Sequence, residues 1–171
     1  WRWRSAFQND FAVRMAWSVT PRFADANHAP RLMVNGTSGL QPIRLSACPG
    51  EAVPLNAEGS IDPDGNAIAY RWWWYREAGN AITQQVTFSQ ETGPRTAATI
   101  PLWTQPSMIA LEPSYSFHVI LEASDAGTPV LTRYRRIIID VPTDGRSING
   151  KLCPKIAVQA RKDIVDFDAV P

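Results

Sequence analysis

The sharpest chemical pattern in the chain is Ser60-Ile61-Asp62-Pro63-Asp64-Gly65-Asn66. Asp62, Asp64 and Asn66 alternate oxygen side chains, the donor type that a hard cation such as Ca2+ gathers in sets of about six to eight. The same residues also make a β-turn without any metal. Pro63 pre-sets φ, Asp and Asn bond their own backbone, and Gly65 supplies a positive φ. The spacing lacks the rest of an EF-hand loop and its distal Glu. A turn is the simpler reading; a calcium ion held by Asp62, Asp64 and Asn66 is the sharper one.

The second pattern is Arg71-Trp72-Trp73-Trp74-Tyr75-Arg76. On a strand, Trp72 and Trp74 point one way with Tyr70, and Arg71, Trp73 and Tyr75 the other. If Tyr70, Trp72 and Trp74 face inward, Trp73 and Tyr75 make a flat aromatic platform outside. Sugar rings lay their apolar C–H faces on such platforms while polar neighbours take the hydroxyls. The competing reading is that this face is covered as well, by the N-terminal helix or an upstream domain, since buried aromatics usually serve packing. Trp103, between Pro101 and Pro106, is either a further sugar contact or a plug for one end of a sandwich. The candidate carbohydrate-binding residues are therefore Trp73, Tyr75 and Trp103.

Catalytic groupings are missing from the sequence. His28 lies in a linker-like stretch and His118 alternates with the apolar face of a strand. No GxSxG, HExxH, phosphate loop or GxGxxG occurs. The expectation is a chain without catalytic residues, hence not itself an enzyme. Cys48 and Cys153 form no CxxC, and with two histidines in the chain a zinc site is not expected. In an exported protein they pair, and closing so long a loop contributes roughly 4–5 kcal/mol. Otherwise they are two separate thiols.

Composition sets the bounds. The 171 residues are 44% hydrophobic, enough for one domain with a little left over. Seventeen Lys+Arg against sixteen Asp+Glu give a net charge of +1. That excludes a strongly basic nucleic-acid binder. No apolar run reaches the roughly 18 residues of a membrane span. The chain opens Trp1-Arg2-Trp3-Arg4, with neither an initiator Met nor a signal peptide, and reads as a piece of something longer.

Three stretches must position these residues. In residues 1–30, Trp3, Phe7, Phe11 and Met15 recur every four residues, an amphipathic helical stripe. Pro21 ends it, and residues 24–30 read as a linker. A lone helix of this length is marginal, so the stripe needs a partner surface, either the following domain or an upstream one. Residues 31–142 alternate apolar and polar side chains between closely spaced turns such as Asn35-Gly36, Asp64-Gly65 and Ala126-Gly127. Strands are expected near 31–34, 43–47, 52–57, 67–75, 83–88, 96–101, 115–124 and 132–141. Their apolar faces suit two packed antiparallel sheets, with Tyr70, Trp72, Phe117, Val119 and Leu121 inside. Residues 143–171 read as a C-terminal extension with one strand.

Leu55 to Trp72, with its Asp-Pro-Asp-Gly-Asn turn followed by Tyr70-Arg71-Trp72, resembles the PKD-like and cadherin-like domains, in which DPDGD precedes Tyr-x-Trp. Asn66 stands where those domains have the last Asp, which weakens any metal implied by the likeness. The segment Phe7 to Trp17 with Asp25-Ala26-Asn27-His28, the run Trp72 to Gly79, and Asp125-Ala126-Gly127-Thr128-Pro129 through Tyr134-Arg135-Arg136 resemble something narrower. They are similar to the C-terminal part of secreted bacterial proteins described as cellulose-binding, which carry a nucleoside-hydrolase-like domain upstream. The resemblance covers about residues 1–142. It implies a mostly β, Ig-like (PKD/cadherin-like) sandwich with a short N-terminal helical segment, residues 1–30 being the tail of the upstream domain plus a linker. It further implies a secreted or periplasmic, non-catalytic accessory module that binds cellulose or another plant polysaccharide. The alternative is a structural Ig-like domain that packs on the upstream domain and binds no sugar. Neither nucleic acid nor membrane is an expected partner, and no cofactor is expected beyond the calcium ion considered above.

Overall fold

The structure, a computed structural model, describes residues 1–81, 85–102 and 114–154. Among the described residues one α-helix, α1 (Arg4–Val19), precedes eleven strands: β1 (Met33–Val34), β2 (Thr37–Ser38), β3 (Ile43–Ser46), β4 (Ala52–Asn56), β5 (Ala69–Trp74), β6 (Thr87–Phe88), β7 (Arg95–Thr99), β8 (Ser114–Ser124), β9 (Thr132–Pro142), β10 (Ser147–Ile148) and β11 (Lys151–Leu152). A four-stranded sheet in the order β3-β9-β8-β5 packs on a three-stranded sheet in the order β4-β7-β6. The architecture is the expected mostly β sandwich, with one departure. Strand β3 runs parallel to β9, Ile43 opposite Ile137, while the other pairings are antiparallel. Period-2 alternation fixes which side chains face inward and carries no information on strand direction, so the parallel edge was not legible.

The interior follows the alternation. Trp72, Phe117, Val119, Leu121, Ile137 and Ile139 from the larger sheet meet Leu55 and Ala98 from the smaller one, all fully buried. Tyr70 and Trp74 are only partly buried at the margin of this core. The Trp72 indole donates to the Gly93 carbonyl at 2.9 Å, satisfying its single polar atom. Pro54, which cannot donate to a ladder, sits in β4, at an edge of its sheet.

Two small hairpins flank the sandwich. Asn35-Gly36 turns β1 into β2 and Asn149-Gly150 turns β10 into β11, all four residues having positive φ. The second hairpin lies in the C-terminal extension, whose expected strand, on the apolar groups from Ile156 onward, falls outside the described residues. It is held by a disulfide between Cys48 and Cys153, both buried. Among the described residues no helix is long and apolar enough to cross a membrane.

Helix α1 ends at Thr20, whose N–H and hydroxyl both bond the Ala16 carbonyl, just before Pro21. It lies on the outer side of the four-stranded sheet, against β9. The four-residue stripe expected to pack as one face divides here. Trp3 turns to the sheet, whereas Phe7, Phe11 and Met15 point to water and Val13 is the buried residue of the helix.

Candidate functional site

The outer face of the four-stranded sheet carries the alternate residues of β5, β8 and β9. Strand pairing sets Trp73 beside Ile120, and Glu122 beside Tyr134. Onto this face helix α1 lowers Trp3. Its ring meets Tyr134 edge-on at 4.6 Å, lies tilted on Trp73 at 5.5 Å and reaches Tyr75 at 6.0 Å. Trp73 and Tyr75 are themselves 5.6 Å apart. The Arg2 guanidinium stands 4.8 Å from the Trp73 ring centre while pairing with Glu77 at 3.0 Å. The structure thus brings Trp73 and Tyr75 together on one face, as the alternation predicts, and leaves both half-buried beneath Trp3 and Arg2. Trp103 lies outside the described residues.

Polar contacts over long sequence separations fasten the helix in this position. Arg133 donates to Asp10 at 2.7 Å and the Asn9 amide donates to the Val130 carbonyl at 2.8 Å. Burial alone would raise the Asp10 carboxyl, but hydrogen bonds from Arg14 and Arg133 outweigh it and hold the group below the usual aspartate range.

Residues 24–30, read from sequence as a linker, are tied down just as firmly. Asn27 is buried, donating to Asp125 at 2.8 Å and to the Pro129 carbonyl at 2.9 Å, while its own carbonyl accepts from the Trp17 indole at 3.0 Å. Gly127 makes room for it, because a Cβ there would fall 2.2 Å from the Asn27 amide nitrogen. His28 stacks with Phe23 at 3.6 Å and with Trp17 at 5.2 Å.

The Asp62–Asn66 turn holds the other side of His28. Both carboxylate oxygens of Asp64 bond to it, one to the backbone N–H at 2.5 Å and one to the ring at 3.0 Å. Asp62 Oδ1 accepts the N–H groups of Asp64 at 3.0 Å and Asn66 at 3.1 Å, and Gly65 has a φ of 77°. Of the four carboxylate oxygens, Asp62 Oδ2 alone is left without a partner among the described residues. No three His, Cys, Asp or Glu side chains among those residues group to hold a metal. The motif has the donor arrangement of a turn, with three of its four carboxylate oxygens taken by backbone N–H groups and the His28 ring.

Two recesses open where helix, tied segment and turn converge. One, of about 430 Å3, has Trp17, Phe23, His28 and Tyr134 among its walls, together with Arg31 and Arg133. The other, of about 560 Å3, shares Phe23 and Pro63 with it and is lined by Asp25, Asn27, Asp64 and Asn66. An aromatic cleft therefore adjoins a polar one. Sequence reasoning missed Trp17, Phe23, His28 and Tyr134, because their convergence depends on where the helix docks. The one signal available was the crowding of aromatic residues before Pro30.

The second histidine is committed elsewhere. His118 Nδ1 accepts from Arg136 at 3.0 Å, and burial, then the Arg136 charge, hold its ring below the usual histidine pKa.

Fold and surface together define a β-sandwich domain with a helical strap and an aromatic outer layer. Residues 52–141 match the family described as cellulose-binding protein Sde0182, C-terminal domain, and the chain belongs to that family. Among solved structures, it is similar to a nucleoside hydrolase-related hypothetical protein from Saccharophagus degradans that is associated with carbohydrate metabolism. The identity is 34% and the TM-score 0.73, over 82% of this chain and 32% of that one. The chain thus spans about a third of that protein. A structure of mouse clustered PcdhgC3 EC1-3 aligns over 66% of this chain and 33% of its own at 17% identity and a TM-score of 0.32, below what defines a shared fold. None of the curated proteins matches the chain.

Proposed function

We propose that this domain is a non-catalytic carbohydrate-binding module of a longer secreted or periplasmic, hydrolase-related protein, and that it holds cellulose or a related plant polysaccharide. The observation that carries the reading is the adjoining pair of recesses, one walled by Trp17, Phe23, His28 and Tyr134 and one by Asp25, Asn27, Asp64 and Asn66. A sugar ring has an apolar face for the first and hydroxyls for the second. Membership of a family named for a cellulose-binding protein supports the ligand class. The Cys48–Cys153 bridge supports an oxidising compartment. Both histidines are engaged in structural contacts, which supports a role without catalysis.

In this reading Trp73 and Tyr75 offer a sugar only what Trp3 leaves free, and Phe23, more exposed, makes the principal stacking contact. Each aromatic contact contributes about 0.5–1.5 kcal/mol beyond buried area, so the Kd for a short oligosaccharide lies nearer millimolar than nanomolar. The test is retention of the chain on insoluble cellulose, xylan and pectin. Phe23→Ala is expected to cut retention several-fold with an unchanged melting temperature, and Trp73→Ala less, with a modest drop in melting temperature from the contacts it loses to Trp3 and Tyr75 while the sandwich stays folded. A wild-type chain that stays wholly in the supernatant over all three overturns the proposal.

A further inference from the structure

Helix α1 has two apolar faces, and the sandwich uses one of them. At 100° per residue, Phe11 lies about 160° around the helix from the buried Val13. Phe7, Phe11, Met15 and Val19 follow one another a turn apart along that outward side, and are 72%, 58%, 50% and 79% exposed. Arg4, on the same side, rests over the Trp1 ring and pairs with no carboxylate among the described residues. The contacts that hold α1 down, through Trp3, Asn9, Asp10 and Trp17, all leave from its other face. Packing against the sandwich therefore gives no reason for the outward row. Contiguous apolar surface of this kind marks an interface.

The family description indicates what covers it. The matched family is a C-terminal domain, so in the protein that names it other sequence comes first. The Saccharophagus degradans relative, itself nucleoside hydrolase-related, has about two thirds of its length outside the match. Helix α1 stands at the N-terminal edge of the sandwich, on the side from which such sequence arrives. We propose that the Phe7–Phe11–Met15–Val19 face docks against a preceding nucleoside-hydrolase-related domain. That domain would present an apolar patch with an acidic group at its rim for Arg4. Helix α1 is then a strut packed on both sides, and it fixes the angle between the two domains. The inference is independent of sugar binding.

The test compares the full-length protein with this 171-residue chain. Amide hydrogen exchange over residues 4–19 is expected to be at least tenfold slower in the longer protein. The double variant Phe7→Asp with Phe11→Asp is expected to abolish that slowing and to lower the melting temperature of the longer protein by roughly 5 °C or more. In the short chain, where both side chains already face water, it shifts the melting temperature by no more than about a degree. Equal exchange in the two wild-type proteins overturns the proposal without relying on any variant. So does a longer protein that lacks such a domain. So, too, does a short chain that sediments as a dimer which Phe11→Asp dissolves, since the face would then belong to a second copy.

Discussion

Trp72 and Trp73 are neighbours on one strand and belong to two different layers. Trp72 is sealed between the sheets, its indole N–H bonded to a carbonyl and its ring surrounded by aliphatic side chains from both sheets. Trp73 is half-buried under a helix, its indole N–H buried without a partner among the described residues, an arginine over its face and a third tryptophan tilted on it. The inner layer is held by apolar area, which needs only the right alternation along each strand. The outer layer is held by a few aromatic contacts and by ion pairs and side-chain amide hydrogen bonds between residues about 100 positions apart. Burial of a large aromatic contributes several times what an exposed ion pair does. The inner layer should therefore set global stability, and the outer layer should be separable from it.

The most severe test of that contrast is Trp72→Ala, expected to cost roughly 3–5 kcal/mol and to leave little folded chain at 37 °C. A loss below about 1 kcal/mol in denaturant titration would erase the distinction between the layers. Next in size is the disulfide. Cys153→Ser is expected to cost about 2–5 kcal/mol, acting mainly through the unfolded chain and so lowering both layers together. If only the helix loosened in hydrogen exchange, the bridge would belong to the outer layer. Trp3→Ala is expected to cost only about 1–2 kcal/mol, the scale of a few aromatic contacts. It should raise the exposure of Trp73 and Tyr75, visible in tryptophan fluorescence, while the sandwich stays folded.

The smallest effect concerns pH. His118 sits on the outer face with a folded-state pKa below its unfolded value of about 6.5. Its contribution is therefore fully present above that value and is lost as pH falls through the folded pKa, because the unfolded chain takes up the proton first. His118→Gln keeps an acceptor for Arg136 and removes the titration. Stability should then fall less steeply below about pH 6.5 than in the wild type. Identical slopes would mean that the outer face gives the ring no special environment.

The same division explains what the sequence made legible. Each of the eight expected strands overlaps one of β1 and β3 through β9, since alternation in runs such as Tyr115-Ser116-Phe117-His118-Val119 reports local geometry; of the strand expected over 83–88, β6 covers Thr87–Phe88, and 83 and 84 lie outside the described residues. The Asp62–Asn66 turn was equally readable, being built from its own backbone bonds. The parallel pairing of Ile43 with Ile137 was not, and neither was the splitting of the Trp3-Phe7-Phe11-Met15 stripe between two faces. Both are decided by where distant segments meet. The aromatic cleft was missed for that reason, since Trp17, Phe23 and Tyr134 meet where long-range contacts such as that of Asn27 with Asp125 hold the segment against the sandwich.

The lodging of Asn27 against Gly127 has a consequence for how this sequence can drift. Gly127 does not hold a positive φ, so its backbone would accept alanine; what forbids it is the Asn27 side chain in the space of the missing Cβ. Shrinking Asn27 first has its own cost, since the buried Asp125 Oδ2 loses the amide it accepts from, and only Oδ1 keeps its bonds from the Gly127 and Leu131 N–H groups. Each single step is harmful in the presence of the other native residue, although a chain changed at both positions relieves the clash. The two sites are thus epistatic. A mutational scan that changes one residue at a time would score Gly127 as indispensable for reasons that lie a hundred positions earlier in the chain.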